Sequence, residues 1–189
     1  LLSMHAPGKT NEATWKPYSR LNFNDIPEAS LSWLLDPHSL TQRLIASCPG
    51  KFQVQVVDED WARPAPSESR LLAMKSARVA RIRQVRLLCD GVPWVFARTA
   101  IPYSTLKGPV RRLRLLGTRP LGAVLFADKT MRRGELEIAA IGRGDFLYRQ
   151  ATQGLRYKPP AIWGRRSVFF LSDKPLLVNE IFLPAINDR

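Results

Sequence analysis

Apolar positions along the chain recur with two different periods, and the switches between them mark out its elements. After Pro27, Leu31, Leu34 and Leu35 return at helical spacing behind Glu28 and Ser30 in the first turn. Asp36–Pro37 predicts a break, after which Leu40, Leu44 and Ile45 predict a second helix up to Pro49–Gly50. Phe52–Val57 alternates as a strand, and Pro64–Ser69 reads as a loop. The clearest signal is a hairpin: Arg78–Cys89 is extended by pattern, Asp90–Gly91 suits a tight turn, and Pro93–Ile101 returns. Beyond it, Val110–Leu116 predicts a short basic helix ended by Gly117, and Leu121–Phe126 a short apolar element. Glu135–Ile141 predicts a strand, Asp145–Thr152 a short helix and Gly154–Pro160 a basic loop. Arg165–Leu171 and Leu176–Leu183 predict two final strands joined through Ser172–Pro175.

Hairpins prevail over strand–helix–strand alternation, so the expected fold class is α+β, a mainly antiparallel β-sheet with helices packed on one side. Residues 1–26 read as an irregular N-terminal arm and residues 27–189 as a single domain. A length of 189 residues with 45% hydrophobic residues suits one domain with a real core. No apolar stretch reaches the roughly 18 residues that span a bilayer, and Leu1–Thr10 shows no secretory leader. Cys48 and Cys89 have no paired spacing and read as reduced cytosolic thiols.

Charge changes the picture through its placement. The net charge is +13, and Lys75–Arg119 holds eleven Lys and Arg against a single acid, Asp90. A solvated basic face, nucleic-acid binding and attraction of a small polyanion all fit. Glycine patterns of the phosphate-loop or dinucleotide kind are absent, and no nucleophile elbow occurs. With only His5 and His38, and two distant cysteines, no metal site is expected. His38 reads as packing or capping beside the Asp36–Pro37 break.

Two side chains stand out. Glu180 lies in the apolar run Pro175–Pro184, where an extended chain puts it on a face with Leu176, Val178 and Phe182. A strand apolar on both sides is normally covered on both sides, so this carboxylate needs a partner: a structural arginine or a ligand. Arg83 shares a strand face with Val79, Arg81, Val85 and Leu87; it is either a carboxylate clamp or one of a solvated ladder with Arg81 and Arg86. Of Arg165 and Arg166, one must point toward the core side or run along a sheet edge.

Five segments then form a series: Leu88-Cys-Asp-Gly-Val-Pro-Trp94, Ala97-Arg-Thr-Ala-Ile-Pro102, Leu116-Gly-Thr-Arg-Pro-Leu-Gly122, Trp163-Gly-Arg-Arg-Ser167 and Lys174–Ala185. In this order they resemble the chorismate–pyruvate lyases, which release 4-hydroxybenzoate and pyruvate from chorismate at the start of bacterial ubiquinone synthesis. The resemblance implies an enclosed site covered by flaps, no cofactor, and chorismate and 4-hydroxybenzoate as ligands; a monomer in the cytoplasm that binds no nucleic acid is the accompanying expectation. It implies that Arg83 grips the ring carboxylate, assisted by the backbone of Leu121, and that Glu180 meets the ring hydroxyl. Leu40 matches a backbone contact, where the family pattern has methionine. Lys129–Ile162 is longer than the pattern. Arg165 or Arg166 is the candidate for the second carboxylate. The same fold also resembles effector-binding domains of bacterial regulators, which bind small molecules without turnover.

Overall fold

In a computed structural model, residues 11–188 except residue 76 are described; the leader reading of Leu1–Thr10 and His5 lie outside them. Eight strands form one antiparallel sheet: β1 (Lys16–Pro17), β2 (Phe52–Ala62), β3 (Ala80–Cys89), β4 (Val92–Pro102), β5 (Arg132–Arg133), β6 (Glu137–Gly142), β7 (Ala161–Leu171) and β8 (Lys174–Phe182). Their order is β1-β6-β7-β8-β4-β3-β2, with β5 also on β7. Five α-helices join them among the described residues, besides short 3-10 turns: α1 (Glu28–Leu34), α2 (Leu40–Ser47), α3 (Pro66–Leu71), α4 (Leu121–Ala127) and α5 (Phe146–Thr152). The class is α+β, as the patterning implied.

The predicted hairpin is β3–β4, turning through Asp90 and Gly91, both at positive φ (48° and 77°). That pair is the one a two-residue turn between twisted strands needs. The Asp90 carboxylate also accepts from the Lys51 N–H at 2.7 Å, fixing the entry of β2.

Several expectations need correction. Helices cover both faces of the sheet, not one. Leu34, Leu40 and Leu44 pack with Val85, Leu87 and Phe182 on one face. Leu147 and Tyr148 of α5 pack with Phe96 and Ile181 on the other. Adjacent residues of a strand point to opposite faces, and here both faces are apolar. The predicted loop at Pro64–Ser69 contains α3: Pro66 starts it, and the Glu68 carboxylate accepts from the Ala65 N–H at 2.8 Å. Strand β2 runs on past Val57 because its acidic end, Asp58–Asp60, pairs with β3, where Glu59 finds Arg81 and Arg83.

Cys48 and Cys89 are not free thiols but a disulfide, with Cα atoms 5.7 Å apart. The helix–strand return that brings the end of α2 to the end of β3 cannot be seen in their spacing. Residues 11–25 lie against the sheet: β1 pairs with β6, and the Glu12 carboxylate takes hydrogen bonds from Ser67.

Candidate active site

Strand alternation puts Arg83 and Val85 (β3), Ala97 and Thr99 (β4), and Val178 and Glu180 (β8) on one face of the sheet. Helices α2 and α4 roof this face. They can approach because Gly122 has no side chain: a Cβ there would stand 2.7 Å from the Thr41 hydroxyl. Between floor and roof lies a mostly apolar cavity with about 580 Å³ of atom-free space, its open mouth included. Leu40, Arg83, Leu121 and Glu180 all line it.

Arg83 is not part of a solvated ladder; it is 2% exposed. Its Nη1 donates to Glu59 at 2.8 Å, and its Nη2 to the Gly117 carbonyl at 2.8 Å and the Arg119 carbonyl at 3.4 Å. Its Nε has no protein partner among the described residues. One guanidinium therefore fastens the edge strand and the loop that leads into α4. Thr99 pairs with Arg83 across the β3–β4 ladder and also lines the cavity. Its hydroxyl, like that of Thr41, drew no notice in the sequence, because threonine in a strand or helix reads as ordinary filler.

Glu180 occupies the other end. In register terms Arg83 and Glu180 are two strands apart and two residues offset, which puts their Cα atoms roughly 12 Å from each other. The Glu180 side chain is 15% exposed, and its Oε2 accepts from Arg165 Nε at 2.5 Å. Its Oε1 has no protein donor among the described residues. Glu180 thus has both the structural arginine and an oxygen left over.

Arg165 is 1% exposed, and its Nε and Nη1 are both engaged. Besides Glu180 it donates through Nη1 to the carbonyls of Trp33, Leu34 and Asp36, at 3.0, 3.4 and 2.7 Å. The first two are the last carbonyls of α1, which lack donors within the helix, and the third lies just beyond it. Arg166 points to the opposite face, where it donates to Glu137 at 2.6 Å and to Ser67 at 2.8 Å. The structure therefore does not bring Arg166 to the cavity, and neither arginine lies on a sheet edge, since β7 is internal. His38 is exposed, its backbone and ring both hydrogen-bonded to Asp36 at 2.9 Å. Burial of Asp36 would raise its pKa, but the bonds from His38 and Arg43 outweigh it and hold the carboxyl below its usual range.

The family model described as Chorismate lyase matches residues 9–189. The chain belongs to this family. Chorismate lyase relatives include a "Probable chorismate pyruvate-lyase" of Azoarcus sp. (strain BH72), 46% identical over 82% of this chain and 83% of that protein. Another of the same description, from Methylococcus capsulatus, is 43% identical over 82% of this chain and 94% of its own. Solved structures share the fold at low identity. The C-terminal domain of a histidine utilization repressor from Pseudomonas syringae pv. tomato has a TM-score of 0.55 at 10% identity, over 71% of this chain and 93% of that one. A GntR-family regulator from Bacillus cereus gives 0.52 at 9%, over 72% and 94%. Among the described residues of this chorismate lyase family member, no helix is long and apolar enough to cross a membrane, which says nothing of strands.

Proposed function

We propose that this protein is a chorismate–pyruvate lyase, converting chorismate to 4-hydroxybenzoate and pyruvate as the first step of ubiquinone biosynthesis. The observation that carries the reading is the shared cavity of Arg83 and Glu180, a cation and an anion at opposite ends of an apolar slot. That arrangement suits a flat ring with a carboxylate at C1 and a hydroxyl at C4.

In this reading the Arg83 guanidinium grips the ring carboxylate, with Nε available and the backbone of Leu121 beside it. Leu121 is the first residue of α4, so its N–H has no carbonyl partner within the helix. Glu180 Oε1 receives the C4 hydroxyl, and Leu40 offers a backbone contact from the roof. The reaction removes the C4 hydrogen as a proton and breaks the C3–O bond, whose electrons stay with the enolpyruvyl oxygen. The ring becomes a phenol, and enolpyruvate takes a proton on its methylene carbon to give pyruvate. Aromatisation drives the step, so the protein's task is to fix the reactive conformer and to stabilise shifting charge. Glu180 is the group positioned to take part in proton transfer.

No cofactor enters this scheme; desalted, chelator-treated protein should keep full activity. We also assign the protein to the cytoplasm as a monomer, which sedimentation and fractionation test. Incubation with chorismate should yield 4-hydroxybenzoate and pyruvate in equal amounts. Glu180→Gln or Glu180→Ala turning over chorismate at the wild-type rate would remove its chemical role. Unchanged substrate affinity in Arg83→Lys, which loses the bidentate fork, would remove the clamp. Regulator domains share the fold, and the alternative reading is a binding domain without turnover; tight 4-hydroxybenzoate binding with no product from chorismate would select it. Binding of DNA that collapses steeply with salt would instead point to the basic segment.

A further inference from the structure

Chorismate has a second carboxylate that its aromatic product lacks, on the enolpyruvyl arm at ring C3. Resting on the proposed function, a ring with its C1 carboxylate on Arg83 and its C4 hydroxyl on Glu180 directs this arm toward the Glu180 end. One carboxylate is already there, so a second needs a cation that is not committed elsewhere. Arg165 is committed to Glu180 and three carbonyls, and Arg166 lies behind the sheet with Glu137.

Arg133 is the guanidinium left at that end. It sits on β5, paired with Phe169, whose side chain lines the cavity. Its Cζ lies 5.2 Å from the Phe169 ring centre. Its Nε donates to the Ser167 hydroxyl at 3.1 Å, and its Nη1 reaches the Pro37 carbonyl at a long 3.5 Å. No carboxylate pairs with it among the described residues, and its Nη2 has no protein partner there. Burial and the neighbouring Arg165 charge lower its pKa, while Glu180 and Asp36 act in the opposite direction. A half-buried arginine that is short of an anion, beside a cavity that expects one, is a preformed receptor for a carboxylate.

We propose that Arg133 receives the enolpyruvyl carboxylate of chorismate and thereby separates substrate from product. It stands behind Phe169 and is not in the cavity wall, so its free Nη2 swings inward when the arm arrives. After C–O cleavage the pyruvate leaves with this contact, and the remaining aromatic acid is held by Arg83 and Glu180 alone.

The test compares two ligands on one variant. Arg133→Gln should lower kcat/KM for chorismate by roughly 10- to 100-fold, the loss expected for a charged hydrogen bond. It should leave 4-hydroxybenzoate affinity within about twofold, because that ligand lacks the arm. Arg133→Lys, which keeps the charge and the fold of β5, should recover part of the loss. Chorismate kinetics equal to wild type would overturn the assignment, as would equal weakening of both ligands, the mark of a merely structural side chain. Wild-type protein that leaves chorismate intact would overturn the proposed function, and Arg133 with it. Active wild type with an indifferent Arg133→Gln would overturn only Arg133.

Discussion

Replacing Arg165 by methionine is the sharpest probe of how the candidate site is held. The substitution keeps most of the volume but removes the only salt-bridge partner of Glu180 among the described residues, which Arg165 meets at 2.5 Å. It also strips a donor from the carbonyls of Trp33 and Leu34 at the end of α1 and of Asp36 just beyond it. Breaking a buried pair from one side costs about 3–5 kcal/mol. Glu180 keeps some access through the cavity, so the lower end of that range applies. An unfolding entropy of about 2 cal/mol/K per residue makes about 0.4 kcal/mol/K for a chain of this length. A loss of about 3 kcal/mol then lowers Tm by roughly 8 °C. Urea and thermal unfolding of wild type, Arg165→Met, Glu180→Gln and the double variant would form a cycle. The double variant should be more stable than the two losses summed, by about 1–3 kcal/mol. Arg165→Met within 1 kcal/mol of wild type, or strict additivity, would refute the view that the pair and the α1 terminus act as one unit.

Three further outcomes are expected. Replacing both Cys48 and Cys89 by alanine should cost about 4 kcal/mol by the chain-entropy relation for a loop of this length; equal Tm values for the variant and the unreduced wild type would count against the bridge. Gly122→Ala should push α4 off α2 at Thr41, costing about 1–3 kcal/mol and weakening 4-hydroxybenzoate binding, with Thr41→Ala restoring part; unchanged binding would show that the roof has slack. Asp36, its pKa held down in the fold, contributes stability that is present above its unfolded value of 3.8 and is lost as pH falls through the folded one. The stability gap between wild type and Asp36→Asn should therefore narrow below that pH in denaturant titrations, and a constant gap would contradict the assignment.

Local pattern made the helices and the hairpins legible, because one buried face imposes a period and Asp90–Gly91 names its own turn. Helix α3 hid behind Pro64 and Pro66, since the proline that looks like a breaker is acceptable in a first helical turn. The acidic half of β2 hid because its stability comes from arginines on another strand. The same limit applied to charge. Sequence could say that Glu180 needed a partner, but only the β7–β8 register shows that Arg165 supplies it. Arg165 and Arg166 are neighbours in sequence, yet alternation sends them to opposite faces. Arg133 gave no signal at all: it is one of 29 Lys and Arg, and its distinction lies in a missing counter-charge.

The loop between Leu116 and Pro120 is tethered from beneath by the side chain assigned to the ring carboxylate. Any anion that draws on that guanidinium competes with, or tightens, its grip on the Gly117 and Arg119 carbonyls. Occupancy and cover are then thermodynamically linked: a ligand that strengthens the tether slows its own escape, and loosening the tether opens the exit.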